Sequence, residues 1–285
     1  MDEAVTIVAP LRHAAAKARG GLTPGALDRH IPWWTGITAV LLALLIAETV
    51  LFIEVIERSW TYLGMDYMFY RDVGARWLHD GSWYLPFQFA PHEFTNMVSN
   101  VYPPTALFLF VPAALVPWIF WWVVPIAVLA YALRRMQPAT WAWPVILLMM
   151  MWPRSIGGYL YGNTTMWTTA GLAAGLVWGW PIILLAVKTT AWPWALLIVR
   201  RREAWIAGAV LAVVSIPMIP LWIDYFAVVR NQTSPITPTA LFGDVPPMLI
   251  PAVAWFSARA ARSRSAAMGP STHVQDHPVP LATEA

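Results

Sequence analysis

The chain has no cysteine among its 285 residues, and only 12% of its residues are charged. The absence of cysteine excludes disulfides, thiolate metal sites and cysteine nucleophiles. The formal net charge is only +3, and the basic residues stand mainly at the ends of apolar segments, as membrane topology requires. We therefore expect no nucleic-acid partner. No Asp-x-Asp motif accompanies the loop histidines His79 and His92, so we expect no tightly held metal and no cofactor.

Apolar and aromatic residues are what the chain has in excess. Hydrophobic residues make up 59% of the sequence and the mean hydropathy is +0.56, both far above the usage of soluble proteins. The 19 tryptophans and nine tyrosines suit a protein with many membrane-water boundaries, where amphipathic rings settle. The composition predicts an all-α integral membrane protein.

The hydropathy pattern predicts a polytopic helix bundle. A spanning helix needs about 20 mostly apolar residues, and residues 34–53 meet that length. The further apolar segments are 104–117, 118–133, 140–153, 164–178, 180–199, 203–228 and 240–258. Several are short, and their prolines imply kinked or interrupted helices, which lipid tolerates only where neighbours or cavity water satisfy the freed backbone groups. We expect about 7–8 membrane segments around a cavity.

The number of crossings stays open between two arrangements. Eight crossings place Arg200–Arg202 in the cytoplasm but Arg134 and Arg135 outside. Fusing residues 104–133 into one helix returns Arg134 and Arg135 to the cytoplasm. The fused arrangement places Arg200–Arg202 outside the cytoplasm, however, unless residues 180–199 form a re-entrant hairpin broken near Lys188 and Pro193.

The chain divides into a membrane domain between two tails. Residues 1–31 contain basic residues but no continuous apolar stretch, so we expect a loosely ordered cytoplasmic tail. The membrane domain covers residues 32–264 and contains an extracytoplasmic loop at residues 57–103. The final segment, 265–285, is small, polar and proline-bearing, which is typical of disorder.

The external loop gathers charged residues around a predicted short helix. From Asp66 onward, Phe69, Val73 and Trp77 recur on one helical face, and Gly81 is placed to end the helix. We expect this helix to lie along the outer membrane surface. Asp66, in its first turn, could simply stabilise the helix dipole. The spacing of Asp72 and Arg76 in the sequence also predicts an i,i+4 ion pair on it.

Five elements in order carry a resemblance to a known family. They are Asp66 with Tyr70 after it, "YPP" from Tyr102, "GYLYGN" ending at Asn163, Lys188 before a proline-containing segment, and "LWIDYF" at 221–226. Over about residues 34–230 this order resembles the polyprenyl-phosphate-dependent membrane glycosyltransferases of the GT-C class. It is most similar to the bacterial mannosyl- and arabinofuranosyltransferase-like family called glycosyltransferase family 87. The chain resembles the N-terminal module of that family.

The resemblance implies a reaction and a set of residues. The reaction is inverting transfer of a mannose or arabinofuranose-class sugar from a polyprenyl-phosphate donor to a hydroxyl of a glycan or glycolipid. It takes place at the outer face of the bacterial cytoplasmic membrane. Asp66 is then the general base, because one positioned carboxylate contributes roughly 100- to 10,000-fold to such a rate. We expect Tyr70, Arg71, Tyr102, Asn163 and Lys188 to bind substrate.

Structural alternatives for these residues stay open. Lys188 could snorkel to the membrane interface, Asn163 could cap a helix, and Tyr102 could serve only to rigidify the loop. At the level of the whole protein, the alternative is a non-catalytic accessory subunit or lipid-carrier flippase of an envelope-glycan assembly, which could need a membrane protein partner. A small transporter fits less well, because the charges concentrate in an outer loop.

Overall fold

A computed structural model describes residues 62–90, 99–231 and 244–267, together with five isolated helical positions between residues 40 and 50. Those five positions belong to a unit, residues 1–51, separate from the one that holds every other element. Within the described residues all regular structure is helical and no strand occurs, which confirms the all-α prediction. The predicted tail 1–31, most of the span 34–53 and residues 268–285 lie outside the described residues.

Nine α-helices and five 3-10 segments make up the described elements. The helices are α1 Met65–Asp80, α2 Leu107–Leu115, α3 Ile119–Met136, α4 Ala142–Met151, α5 Pro153–Tyr161, α6 Thr165–Trp178, α7 Arg202–Ser215, α8 Ile219–Asn231 and α9 Val245–Ala267. The 3-10 segments are Pro86–Phe89, Pro104–Ala106, Trp180–Val187, Thr189–Ile198 and Ile216–Met218. Helix α9 therefore continues three residues into the segment 265–285 that the sequence predicted as a tail, a correction to that boundary.

Helix α1 matches the short helix predicted in the external loop. It ends at Gly81, whose φ of 76° suits glycine and whose N–H bonds to the Trp77 carbonyl. The sequence predicted an ion pair between Asp72 and Arg76 on this helix. That prediction is wrong, because Asp72 pairs with Arg71. The Arg76 guanidinium instead donates to the backbone carbonyls of Ser82 and Trp83, which fastens the chain after α1 back onto the helix.

Two apolar cores hold the helices around the candidate site. One forms among α3, α4, α6, α9 and the 3-10 segments of residues 180–198. The other joins α1 to α2 and to the aromatic residues Trp83 and Trp121. At Gly74 the α1 backbone approaches α2 so closely that a Cβ atom would lie 2.1 Å from the Phe110 carbonyl oxygen. Glycine is therefore required at that crossing.

The structure decides how two apolar segments are interrupted. Residues 104–133 do not form one helix, because the backbone is extended at Val116 between α2 and α3. Residues 180–199 form two 3-10 segments that are broken at Lys188, where φ is −137° and ψ is 117°. The predicted break near Lys188 is thus present, whereas Pro193 lies inside the second 3-10 segment.

Two stretches of the described helices are long and apolar enough to cross a bilayer. They are α3 and the run Arg202–Asn231, which joins α7 to α8. Pro104–Leu115 and Ala142–Met151 are apolar but shorter. The Arg202–Asn231 run leaves large apolar side chains exposed, among them Ile206, Val213 and Phe226. The total of about 7–8 membrane segments stays a prediction.

Candidate active site

A polar cavity of about 580 Å³ lies where five elements meet, and it contains the aspartate singled out by the sequence. The first turn of α1, the helix α5, the start of α6, the break at Lys188 and the residues before α9 form its wall. Its polar lining consists of Asp66, Arg154, Ser155, Tyr159, Tyr161, Asn163, Thr165, Lys188, Thr190 and Asp244. A second cavity, of about 540 Å³, is walled by apolar side chains such as Leu185 and Trp205 and has no ionisable group in its lining.

Two glycine turns bring the predicted base and its neighbour together. Gly64, with φ 72°, precedes α1, and its N–H bonds to the Leu160 carbonyl at the end of α5 over 2.9 Å. Gly162, with φ 75°, ends α5, and a Cβ there would lie 2.9 Å from Trp122 and from Tyr67. Both the backbone conformation and the space therefore require glycine at residue 162.

Asp66 is held by a hydrogen bond across this junction. The Asn163 side-chain amide donates to Asp66 Oδ2 over 2.7 Å, and within the described residues no donor hydrogen-bonds to Oδ1. Burial raises the pKa of the Asp66 carboxyl above its ordinary value, and the Asn163 hydrogen bond and the Lys188 charge offset only part of that increase. The side chain lines the cavity, so Oδ1 is available to a bound hydroxyl group.

Lys188 forms an ion pair with Asp244, a residue that the sequence reasoning did not single out. Its Nζ lies 2.8 Å from both carboxylate oxygens of Asp244, and the two side chains are only 18% and 19% exposed. Burial acts to raise the pKa of Asp244. The Lys188 charge and the hydrogen bonds from Lys188, Thr165 and Thr190 outweigh burial and lower the pKa below its ordinary value.

Threonine hydroxyls connect the ion pair to Asn163. Thr190 Oγ1 donates to Asp244 Oδ2 over 2.9 Å, and Lys188 Nζ donates to Thr165 Oγ1 over 2.9 Å. Thr165 Oγ1 lies 2.8 Å from Asn163 Oδ1 and 2.7 Å from Asp244 Oδ1, so its single proton can serve either acceptor. Asn163 Oδ1 also accepts from the Thr165 N–H, which caps the first turn of α6.

The structure brings Asp66, Asn163 and Lys188 to the cavity but leaves the other predicted residues outside its lining. Tyr70 and Tyr102 join their hydroxyls over 2.7 Å in a buried cluster behind α1, and Tyr102 also bonds to Thr164 over 3.1 Å. They tie α1 to the start of α6. Arg71 is exposed and pairs with the neighbouring Asp72 outside the cavity lining, and its expected substrate contact stays a prediction.

Asp244, Arg154 and the two threonines are among the cavity residues that sequence reasoning missed. One signal could have identified Asp244, because a lysine inside an apolar segment needs a partner and Asp244 opens another apolar segment. Nothing in the sequence distinguishes Thr165 and Thr190 from ordinary helix residues. Within the described parts of the chain, no three His, Cys, Asp or Glu side chains come together as a metal site would require.

No protein-family model, curated protein or solved structure matches the chain. The cavity combines one half-buried carboxylate, whose Oδ1 has no hydrogen-bond donor among the described residues, with an internally neutralised ion pair and an exposed arginine. Chemically, this arrangement can accept a proton from a bound alcohol while it holds a polar, charged ligand.

Proposed function

We propose that the protein is a membrane glycosyltransferase. It transfers a mannose or arabinofuranose-class sugar from a polyprenyl-phosphate donor to a hydroxyl acceptor, with inversion, at the extracytoplasmic face. Asp66 is the general base. The observation that carries the proposal is the Asp66 carboxylate, which lines the cavity with one oxygen bonded to Asn163 and the other without a hydrogen-bond donor among the described residues.

The electrostatic environment of Asp66 suits this role. General bases work best when their pKa lies near the operating pH. Burial raises the pKa of Asp66, whereas the hydrogen bond from Asn163 and the charge of Lys188 act to lower it. The carboxylate is therefore more basic than an exposed aspartate and still has an ionised form to accept a proton.

The proposed step balances without a metal or redox partner. The acceptor hydroxyl oxygen attacks the anomeric carbon, and its proton passes to Asp66 Oδ1. The bond between that carbon and the phosphate oxygen breaks, and its electron pair leaves with the polyprenyl phosphate. Only one ionised carboxylate is required for inversion. The second carboxylate of the cavity, Asp244, has both oxygens occupied by Lys188 and the threonines.

The exposed apolar helices support a membrane location for this chemistry. The Arg202–Asn231 run presents apolar side chains outward along 30 residues, which suits contact with lipid. A lipid-linked donor would then reach the cavity from the bilayer. The same exposed surface also favours the alternative, a non-catalytic accessory subunit or flippase that docks on a membrane partner.

A reconstituted transfer assay tests the proposal. The full chain in proteoliposomes is supplied with polyprenyl-phosphate mannose or polyprenyl-phosphate arabinofuranose and a panel of glycan and glycolipid acceptors. We expect a glycosylated product with one of the two donors, with inverted anomeric configuration. Two results together would favour the accessory or flippase alternative. The protein would bind the donor but form no product with any acceptor, and Asp66→Asn would change neither donor binding nor flipping.

A further inference from the structure

Arg154 occupies a distinctive place in the cavity lining. Four lining residues carry a formal charge, namely Asp66, Arg154, Lys188 and Asp244. Lys188 and Asp244 neutralise each other, because Lys188 Nζ lies 2.8 Å from both carboxylate oxygens of Asp244. Arg154 is exposed, and none of the residues that the structure describes forms an ion pair or hydrogen bond with it. Among the described lining residues, its positive charge is thus the one that remains for a ligand.

The helix that carries Arg154 has two glycines on the face that lines the cavity. Arg154, Gly157, Gly158 and Tyr161 follow one another at positions i, i+3, i+4 and i+7 of α5, and all four line the cavity. Gly157 is buried next to the Tyr161 ring, whereas Gly158 is partly exposed and leaves the helix backbone open beside the arginine. A ligand group can therefore approach the backbone there more closely than any side chain would allow.

Packing does not explain the two glycines. A Cβ on Gly157 would have its nearest neighbour 3.6 Å away in the Tyr161 ring, and a Cβ on Gly158 would have it 3.9 Å away at Asn163. Both are ordinary van der Waals distances, and neither residue has a positive φ. Glycine is a poor helix former compared with alanine. The short helix therefore contains two residues that disfavour helix formation, and the space left by their missing side chains belongs to the cavity.

An unmet polar group lies on the same wall. The Tyr159 hydroxyl is buried, and within the described structure it has no hydrogen-bond partner. Buried polar groups nearly always have one. Tyr159 is one of the residues that line the cavity, but its hydroxyl has almost no accessible surface, so a ligand reaches it only if the side chain turns.

We propose that the α5 face formed by Arg154, Gly157, Gly158 and Tyr161 binds the phosphate of the lipid-linked ligand. The inference rests on the proposed function for the identity of that ligand. The guanidinium offers paired donors that match phosphate oxygens, and the glycines admit the phosphate against the helix. Asp66 then faces the acceptor, and Arg154 faces the leaving group.

A binding measurement tests this assignment without any turnover. The full chain in nanodiscs is titrated with farnesyl phosphate, with farnesol and with inorganic phosphate. The readout is the ratio of the affinities for farnesyl phosphate and farnesol, which cancels the contribution of the apolar chain. We expect a clear preference for the phosphate ester, which Arg154→Ala lowers by about 10- to 100-fold and which Arg154→Lys partly restores. Arg230→Ala, an exposed arginine outside the cavity, leaves it unchanged.

Glycine variants provide a second, independent test. Gly158→Ala is expected to raise the melting temperature, because alanine favours the helix, and yet to weaken the phosphate preference. Gly208→Ala, in α7 beside the apolar cavity, meets no atom within 4 Å and should raise the melting temperature without affecting the preference.

The outcomes separate this inference from the proposed function. An Arg154→Ala protein with an unchanged phosphate preference overturns the phosphate site, whereas sugar transfer by the wild type would still support the function. A wild-type protein that binds farnesyl phosphate and farnesol equally overturns the phosphate site as well. Equal displacement of farnesyl phosphate by anionic phospholipid headgroups or by inorganic phosphate would contradict a site for a lipid-linked ligand.

Discussion

Two aspartates on one helix show how differently the structure surrounds a proposed catalytic carboxylate and a surface carboxylate. Asp66 and Asp72 lie six positions apart on α1. Asp72 is exposed and pairs with Arg71, an interaction of little energetic consequence at a solvated surface. Asp66 faces the cavity, is bonded to Asn163, and has a raised pKa because of burial. Only Asp66 combines an accessible oxygen with increased basicity.

The two cavity aspartates respond to pH in opposite directions. Asp66 has a raised pKa in the folded state, so the stability that its proton contributes is complete below its ordinary pKa of 3.8 and is lost as the pH rises through the raised value. Asp244 has a lowered pKa. Its contribution is present above its ordinary pKa and is lost as the pH falls through the lowered value.

The pH dependence of transfer tests the coupling of Asn163 to Asp66. The hydrogen bond from Asn163 lowers the pKa of Asp66, so Asn163→Leu should raise that pKa further. We expect the acidic limb of the kcat/KM profile, which follows ionisation of the base, to move to higher pH in this variant. Asn231→Leu, at an asparagine outside the cavity, is the control and should keep the wild-type limb. An unmoved limb in Asn163→Leu would contradict the assignment of Asp66 as base.

The Lys188–Asp244 ion pair makes a prediction about stability. Lys188→Met leaves the largely buried Asp244 carboxylate without its partner and should lower the free energy of unfolding by about 3 kcal/mol. This value is at the lower end for a broken buried ion pair, because both side chains keep some exposure. Adding Asp244→Asn should recover much of this loss. Thermal unfolding of the two single variants and the double variant measures the coupling, and additive effects would show that the pair is not formed.

At the scale of elements, the close crossing of α1 and α2 is what positions Asp66. Gly74 lies two turns after Asp66 and allows α1 to rest on the backbone of Phe110. Two contacts of Tyr70 stabilise the same face of α1. Its hydroxyl hydrogen-bonds to Tyr102, and its ring stacks on Phe110 with ring centroids 4.5 Å apart. The first turn of α1 therefore cannot shift relative to the cavity without disrupting this packing.

Gly74→Ala tests that crossing. The added methyl group would overlap the Phe110 carbonyl, so we expect a loss of about 1–3 kcal/mol in the free energy of unfolding, as overpacked cores show. Gly208→Ala, with open space around its Cβ, should instead gain up to about 1 kcal/mol from helix propensity. Chemical denaturation in detergent compares the two, and a neutral Gly74→Ala would mean that α1 does not pack on α2 in this way.

Sequence patterns predicted the elements whose signals are local. The four-residue recurrence of Phe69, Val73 and Trp77 together with Gly81 predicted α1, and its observed end at Gly81 follows from the left-handed conformation that glycine permits. The two 3-10 segments around Lys188 were less predictable, since apolar runs with proline fit a kinked helix equally well. Their geometry depends on packing against α6 and α7.

At the scale of the whole molecule, the cavity depends on contacts between distant parts of the sequence. Asp66 meets Asn163 across 97 positions, and Lys188 meets Asp244 across 56. The order of motifs that resembles the glycosyltransferase family was sufficient to mark Asp66, Asn163 and Lys188. It could not show that Lys188 would pair with Asp244 or that Arg154 would have no partner among the described residues, because both depend on which elements pack together.

The fold class could likewise be predicted from composition, but the membrane arrangement could not. A hydrophobic content of 59% predicted an all-α membrane protein, and all regular structure within the described residues is helical. Helix α3 and the Arg202–Asn231 run satisfy the length of a bilayer crossing. The other apolar segments are shortened by prolines and turns, so hydropathy alone could not fix how many of them cross.

The central claim is that Asp66 Oδ1 takes the proton of the acceptor hydroxyl. The most direct measurement is the single-turnover rate of sugar transfer in proteoliposomes for the wild type, Asp66→Asn and Asp72→Asn, with folding checked by thermal unfolding. We predict that Asp66→Asn lowers the rate by roughly 100- to 10,000-fold with an unchanged or higher melting temperature, whereas Asp72→Asn transfers sugar at the wild-type rate. Equal transfer by a folded Asp66→Asn protein would contradict the account.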